Sequence, residues 1–140
     1  MAVDTLIVGG TVVFPETTRR ASVAIDGGNI VAVGDREECP EPSTTIDATD
    51  KIVMPGAVDP HVHIDDMFSM DSYESATAAA ALGGVTTCID FGWQAWVGEG
   101  SPFDTEGSLV DGIDRKRAKA ADAIVDVSLH GGITREDPAV

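Results

Sequence analysis

Basic side chains are scarce in this sequence of 140 residues, which has 9 Lys and Arg, 24 Asp and Glu, and a formal net charge of −15. Such an excess of carboxylates repels a phosphate backbone, which excludes non-specific binding to nucleic acid. Long apolar runs are also absent, since none approaches the roughly 18 residues of a membrane-spanning helix, so we expect no membrane partner. The N-terminus lacks the basic flank and apolar stretch of a secretory signal, and we therefore expect a cytoplasmic protein.

Cysteine is nearly absent as well. Cys39 lies beside Pro40 in a polar turn and Cys88 lies in an apolar run, so we predict neither a disulfide framework nor a cysteine metal site. Lysine is the rarer basic residue, and the Asp-rich, Lys-poor composition has two interpretations. One is a surface adapted to high salt, where carboxylates hold water and counterions screen their repulsion. The other is an ordinary acidic protein, and the composition leaves both open.

Hydrophobic residues make up 43% of the chain, which is enough to bury a core. In the first 56 residues they form short strands separated by turns. Asp26-Gly27-Gly28 is suited to a tight hairpin, because glycine adopts positive φ at little steric cost. The predicted strands are 6–8, 11–14, 21–25, 29–33, 45–47 and 51–54. We therefore predict a small β-sandwich-like domain over residues 1–56.

From Pro55-Gly56 onward the pattern alternates between strands and helices, which is typical of a parallel sheet with crossover helices. Strands are predicted over 58–64, 85–91 and 123–130. An Ala-rich helix is predicted over Tyr73–Leu82, with Asp71 or Ser72 as its N-cap, and a second helix over 108–121. The Gly-rich segment 92–107 predicts a lid or binding loop. We assign residues 57–140 to an α/β domain.

Two of the three histidines form the sequence His61-Val62-His63 at the end of the first of these strands. Residues i and i+2 of an extended strand point to the same face, so both imidazoles can reach one ion. Imidazole suits zinc, and also cobalt, nickel or iron. Taken alone, the pair is weak evidence for a metal site, because surface or packed histidines are the commoner explanation, so its sequence context matters.

That context resembles the amidohydrolase superfamily, in which a small β domain leads through a Pro-Gly turn into the first strand of a metal-dependent (β/α)8 TIM barrel. The resemblance rests on the segment Met54-Pro55-Gly56-Ala57-Val58-Asp59-Pro60-His61-Val62-His63. Two later segments, 83–91 and 126–134, are similar to the dihydropyrimidinase and hydantoinase branch. The resemblance implies that residues 57–140 are the first three β/α units of an incomplete barrel. It also implies that the small β domain, residues 1–56, is incomplete, because in this family the C-terminal segment returns to supply further strands.

The residues after the histidine pair separate the branches of this family. Dihydroorotases and allantoinases usually have an arginine two residues after the second histidine, and in dihydroorotases it binds the carboxylate of the substrate. Here that position is Asp65, which cannot form a bidentate pair with a carboxylate. The resemblance therefore favours a hydrolase that opens the C–N bond of dihydropyrimidines, hydantoins or related cyclic imides. A dihydroorotase or allantoinase is the alternative.

The resemblance also implies the chemistry. Family members hold two divalent ions, zinc or alternatively manganese or cobalt, bridged by a hydroxide and a carbamylated lysine. A metal ion makes water a nucleophile near neutral pH, and an aspartate of the last strand carries the proton to the leaving nitrogen. By this resemblance, His61 and His63 hold the more buried ion, a small cyclic amide is the substrate, and the full-length protein is a homo-oligomer.

Three further polar side chains lie at or near the ends of predicted strands. Asp59 either orients an imidazole or bonds to nearby backbone. Asp90 ends the second strand and has either a direct role or a structural one. His130 ends the third strand and is a candidate for lining the pocket rather than for binding metal, because the family's other histidine ligands come from later strands.

Several apolar residues near the pair are also candidates for the pocket. Met67, Phe68 and Met70, in the loop after the pair, either wall the substrate pocket or pack against the neighbouring helix. Trp93 and Trp96 have a similar role or lie at a subunit contact. The sequence leaves these alternatives open.

The chain is too short for the complete site. A (β/α)8 barrel takes about 250 residues, whereas 140 − 57 = 83 residues follow Ala57. The only histidine after His63 is His130, and no lysine follows Lys119. We therefore expect the N-terminal part of a longer hydrolase, inactive on its own. The alternatives are a non-catalytic scaffold relative, which the intact histidine pair disfavours, and a small standalone metal-binding module.

Overall fold

The computed structural model describes residues 2–66, 68–94 and 108–133. The chain divides into two compact units, Met1–Pro55 and Gly56–Val140, so the division falls one residue before the predicted boundary. Most of the predicted binding loop, together with Met67 and Trp96, lies outside the described residues. Within the described ranges, neither α-helix has the length and apolar character needed to cross a membrane.

The first unit consists of two small sheets. In the larger sheet the order is β5-β4-β1-β6, where β1 pairs antiparallel with β4 and parallel with β6. In the smaller sheet the order is β3-β2-β7. The strands are β1 (Val3–Val8), β2 (Thr11–Val13), β3 (Thr18–Arg20), β4 (Ser22–Asp26), β5 (Asn29–Gly34), β6 (Pro42–Asp47) and β7 (Ile52–Val53).

The core of the first unit comes from the apolar residues of these strands. Leu6 and Ala24 are fully buried with Val3 and Cys39, while Val12, Ala21 and Val23 form a second cluster. Beside this second cluster lies an apolar cavity of about 320 Å3, lined by side chains that include Phe14, Ile25 and Ile30. The predicted hairpin is confirmed, because Gly27 and Gly28 join β4 to β5 with φ values of 54° and 76°.

The predicted strands of the first unit are confirmed, with differences at their ends. Strand β3 was not predicted, because Thr18, Arg19 and Arg20 are all exposed and have no apolar alternation. The polar loop after β5 contains a short 3-10 helix (Arg36–Glu38), which begins after Asp35 with a capping box. Both differences concern exposed segments, where the apolar pattern carries no signal.

The second unit alternates strands and helices as predicted. Its strands are β8 (Ala57–Asp59), β9 (Val85–Trp93) and β10 (Asp126–Gly132), and its helices are α1 (Tyr73–Leu82) and α2 (Leu109–Lys119), the latter followed by a 3-10 turn (Ala120–Asp122). The sheet order is β10-β9-β8, and both pairs are parallel. The mixed α/β class is confirmed, whereas an eight-stranded barrel is not in this chain.

Serine side chains begin both helices. The Ser72 hydroxyl accepts a hydrogen bond from the Ser75 amide, which selects Ser72 over Asp71 as the N-cap of α1. Ser108 and Asp111 form a capping box at the start of α2. The hydrogen bonds from Ser108 lower the pKa of Asp111. Each cap satisfies amides that have no partner inside the helix.

The first strand of the second unit is shorter than predicted, because it ends at Asp59 rather than at Ile64. Pro60 has no amide hydrogen to donate to a neighbouring strand, and the Asp59 carboxylate accepts a hydrogen bond from the His61 amide at 3.2 Å. These two features end the regular pairing. The third strand begins at Asp126 rather than at Ala123, because the chain first completes the 3-10 turn, and it continues to Gly132.

The sheet of the second unit has two different faces. Cys88, Asp90 and Gly92 of β9 are buried, and the two helices contact this face. The alternate residues Ile89, Phe91 and Trp93 are only half-buried. We call these the helix-covered face and the open face. The histidine pair packs against Phe91, on the open face.

Candidate metal centre

The histidine pair lies just beyond β8, and a hydrogen bond keeps this segment beside the sheet. The Val62 amide donates to the Ile89 carbonyl at 3.0 Å, so the chain continues along β9 after the regular pairing ends. The two imidazoles converge, with 3.3 Å between Nε2 of His61 and Nε2 of His63. The structure therefore brings together the two side chains that the sequence predicts as ligands.

The spacing of the two nitrogens fits a shared metal ion. Two imidazoles bound to one tetrahedral zinc ion, with Zn–N bonds of about 2.0 Å, have their nitrogens about 3.3 Å apart. The same distance also suits a hydrogen bond between a protonated and a bare nitrogen. The distance between the two nitrogens is therefore compatible with a shared ion.

Aromatic rings surround the pair. The Phe91 ring centroid lies 4.8 Å from that of His61 and 5.3 Å from that of His63, and His130 packs against the same phenyl ring at 5.2 Å. Phe68 packs against His63 at 4.7 Å. Phe68, which was predicted to line a pocket, thus lies beside the pair. His130, which was predicted to do the same, is separated from the pair by the Phe91 ring.

Asp90, the predicted residue at the end of the second strand, is fully buried on the helix-covered face. Its carboxylate accepts hydrogen bonds from the Tyr73 hydroxyl at 2.6 Å, the Phe91 amide at 2.7 Å and the Ile64 amide at 3.2 Å. Burial and the hydrogen bond to Asp90 raise the pKa of Tyr73 well above its usual range. This bonding pattern fits the structural interpretation of Asp90.

Two residues of the site, Asp66 and Lys116, were missed by the sequence prediction. Lys116 is buried, with 6% of the residue exposed, and its ammonium lies 3.1 Å from Asp90 Oδ2 and 3.3 Å from Asp66 Oδ2. Asp66 Oδ2 in turn lies 3.4 Å from His63 Nδ1. Helix periodicity could have indicated that Lys116 is buried, because it falls three residues after Ile113 and seven after Leu109, on their side of α2.

A second group with metal-binding residue types lies on the other side of His63. Ligand atoms of His63, Asp66 and Asp90 lie within 4.8 Å of one another, and such a group could hold a metal ion. However, the Lys116 ammonium already contacts both carboxylates. A divalent ion there would compete with a buried positive charge, so the Nε2 atoms of His61 and His63 are the better candidates.

Asp59 and Cys88 lie side by side in the pairing of β8 with β9. The Asp59 carboxylate accepts a hydrogen bond from the His61 backbone amide. This contact fits the interpretation in which Asp59 bonds to nearby backbone rather than to an imidazole. Burial raises the pKa of the Cys88 thiol, and the Asp59 and Asp90 carboxylates add to the shift. A neutral, buried thiol is a poor metal ligand and a poor nucleophile.

Comparisons with known proteins find relatives in both sequence and structure. A dihydropyrimidinase from Arabidopsis thaliana is 36% identical over 139 residues, which cover 96% of this chain and 24% of that protein. An allantoinase from Salmonella choleraesuis (strain SC-B67) is 41% identical over 92 residues, which cover 64% of this chain and 20% of that protein. The structure of a D-hydantoinase (dihydropyrimidinase) from Thermus sp. matches 97% of this chain and 29% of its own, with a TM-score of 0.77 and 30% identity. No protein-family model matches the chain.

These likenesses confirm the predicted superfamily, and the chain belongs to the cyclic amidohydrolases. Within that class its sequence and fold are dihydropyrimidinase-like, and they correspond to the N-terminal part of such enzymes. The chain spans about a quarter of the length of the curated dihydropyrimidinase that it matches. The activity and substrate of the whole protein are therefore matters for a proposal.

Proposed function

We propose that this chain supplies the first two metal ligands of a hydrolase that opens cyclic amides, with dihydropyrimidines or hydantoins as substrates. The observation that carries the proposal is the convergence of His61 and His63, whose Nε2 atoms lie 3.3 Å apart beside the carboxyl end of a parallel strand. The likeness to a dihydropyrimidinase over nearly the whole chain supports the substrate class.

The residues of the chain have distinct roles in this proposal. His61 and His63 hold one divalent ion, for which zinc is the first choice and manganese or cobalt the alternatives. When bound, such an ion activates water for attack on an amide carbonyl. Phe91, His130 and Phe68 shape the surroundings of the histidines, and Met67 is proposed to join them. Asp90 holds β9 to both helices and stays out of the reaction.

The metal assignment is tested by substitution in the full-length protein that carries this chain. His61→Ala should lower bound zinc, measured by elemental analysis, and abolish hydrolysis of dihydrouracil and hydantoin. His130→Ala is the matched control for metal content, because it removes an imidazole from the open face without touching the pair, and its zinc content should stay unchanged. Unchanged zinc in His61→Ala would contradict the ligand assignment.

A second candidate substrate is allantoin, because an allantoinase has the higher identity over a shorter stretch of 92 residues. Asp65 disfavours it, since the resemblance associates allantoinases with an arginine at this position. Parallel assays with dihydrouracil, hydantoin, allantoin and dihydroorotate separate the two proposals. Preferential turnover of allantoin would replace the first proposal, and robust turnover by the 140-residue chain alone would refute the need for the missing ligands.

A further inference from the structure

The second ring nitrogen of His63 has an unusual environment. Nδ1 is buried and has no hydrogen-bond partner with good geometry among the described residues, although Asp66 Oδ2 lies only 3.4 Å away. A carboxylate only accepts hydrogen bonds, so it repels a bare nitrogen lone pair and attracts an N–H group. The proton of a neutral His63 is therefore favoured on Nδ1, which leaves Nε2 with its lone pair.

The Asp66 carboxylate is fixed by helix α2. The oxygen that faces His63 is the same oxygen that lies 3.3 Å from the Lys116 ammonium. Lys116 also donates to the Ile64 carbonyl and lies 3.1 Å from Asp90 Oδ2. One buried cation thus ties the loop after the histidine pair to β9 and limits the positions that Asp66 can adopt.

We propose that Asp66, fixed by Lys116, is a positioning residue that holds His63 as its Nδ1–H tautomer, with the Nε2 lone pair directed toward the ion position shared with His61. Carboxylates commonly orient metal-binding imidazoles in this way, through the ring nitrogen that does not bind the ion. The inference rests on the proposed function for its ion, but its first test needs neither metal nor substrate.

The same geometry assigns the proton of the other histidine. If Nε2 of His63 is bare, its 3.3 Å contact with Nε2 of His61 requires the proton on His61 Nε2 in the metal-free chain. An ion then finds His63 ready to bind, whereas His61 must first move its proton to Nδ1. Because His61 is exposed, solvent can accept one proton and supply the other. His63 is thus the preorganised ligand of the pair.

A neighbouring ion pair provides a matched control. Lys119 lies 3.3 Å from Asp65 Oδ1, and both side chains are about half exposed. This pair joins the same loop to the same helix, one residue earlier in the loop and three residues later in α2. A purely structural role of Asp66 would resemble the role of Asp65, so parallel substitutions separate positioning from general support of the loop.

The direct measurement is a long-range 1H–15N NMR spectrum of the 15N-labelled chain at about pH 8.5, about two pH units above the ordinary pKa of a free imidazole. The chain has only three histidines, so single substitutions assign each ring. In the unsubstituted chain we expect a protonated Nδ1 and a bare Nε2 for His63, and the reverse for His61. A bare Nδ1 on His63, or an average of two tautomers, would overturn the proposal whether or not any variant folds.

Substitution then tests the role of Asp66. In Asp66→Ala, His63 should show a mixture of tautomers, and affinity for added zinc chloride should fall about 10–100-fold. Asp65→Ala should change neither result. Circular dichroism identifies a folded variant, and Asp66→Asn replaces Asp66→Ala if the latter unfolds, because its amide can present either a donor or an acceptor and so relaxes the tautomer preference. A folded variant with an unchanged tautomer and zinc affinity would refute the positioning role.

The two proposals fail in different ways. A chain that shows the expected tautomers but binds no zinc through His61 and His63 would keep the positioning of His63 and contradict the proposed function. A chain that binds zinc through both Nε2 atoms with His63 in the opposite tautomer before binding would keep the proposed function and overturn the role of Asp66.

Discussion

The two faces of the three-stranded sheet use their polar side chains differently. On the helix-covered face, Asp90 is fully buried, accepts a hydrogen bond from Tyr73 of α1 and forms an ion pair with Lys116 of α2. On the open face, His61 and His130 are exposed and contact mainly other rings. Polar groups that are buried and fully bonded contribute to stability, whereas exposed imidazoles keep lone pairs for a ligand. Substitutions on the two faces should therefore affect different measurements.

The largest loss of stability should follow Lys116→Met. This variant leaves Asp66 and Asp90 without their shared cation, and removal of one partner of a buried ion pair costs about 3–5 kcal/mol. The measurement is the free energy of unfolding in urea. Lys119→Met, which breaks the half-exposed pair with Asp65, is the matched control and should cost at most about 1 kcal/mol. Equal losses of stability in Lys116→Met and Lys119→Met would show that burial does not distinguish the two ion pairs.

The next largest loss of stability should follow a substitution at the close approach between α2 and β9. A Cβ added at Gly112 would lie 1.8 Å from the Trp93 carbonyl oxygen, so Gly112→Ala forces the helix away from the strand. Overpacking of this kind costs about 1–3 kcal/mol, despite the better helix propensity of alanine. Gly83→Ala, at the C-cap of α1, meets only ordinary contacts and should be close to neutral. Thermal unfolding of both variants checks the contrast.

Tyr73→Phe should have an effect of similar size, and this effect should depend on pH. Loss of the hydroxyl donor to Asp90 should cost about 1–3 kcal/mol at neutral pH. Because the pKa of Tyr73 is raised in the folded chain, the unfolded chain releases this proton first. The contribution of Tyr73 is therefore present below about pH 10 and is lost above it at about 1.4 kcal/mol per pH unit.

The chain has a single tyrosine, so its ionisation can be followed directly by ultraviolet absorbance alongside unfolding. Tyr73→Phe should flatten the alkaline loss of stability. A tyrosine that ionises near pH 10 in the folded chain would contradict the buried hydrogen bond to Asp90.

The smallest effect should come from the open face. His130 is exposed, and its described ring contact is with Phe91, so His130→Ala should change the free energy of unfolding by no more than about 0.5 kcal/mol. A loss comparable to that of Tyr73→Phe would mean that the open face also supports the fold. Urea unfolding under the conditions used for Lys116→Met makes the comparison direct.

The sequence predicted the regular elements well where apolar periodicity and caps coincide. Helix α1 was predicted over Tyr73–Leu82 and is found there, because a serine cap and a Gly-Gly stop flank an Ala-rich segment. The parallel pairing of β8, β9 and β10 also follows from the alternation of strands and helices. The histidine pair was predicted from its spacing and its resemblance to a known family, although its role as a ligand stays a prediction.

The sequence could not reveal contacts that depend on the tertiary fold. Lys116 lies 50 residues from Asp66, and only the packing of α2 against β9 brings them together. The predicted strand through Ile64 ended early because Pro60 and Asp59 stop the pairing locally, against the apolar pattern of the segment. Sequence reasoning thus predicted the two imidazoles that converge in the structure, and it missed Asp66 and Lys116, which lie behind His63.

The apolar cavity of the first unit has a practical consequence for the behaviour of the chain in solution. Ile30 is 67% exposed, and Val31 and Val33 of the same strand are also exposed. The chain therefore presents an apolar surface that favours self-association. Its net charge of −15 keeps molecules apart at low ionic strength. Because the Debye length shrinks from about 10 Å at 0.1 M salt to about 3 Å at 1 M, added salt weakens that protection. Added salt screens the net charge and should therefore lower the colloidal stability of this molecule.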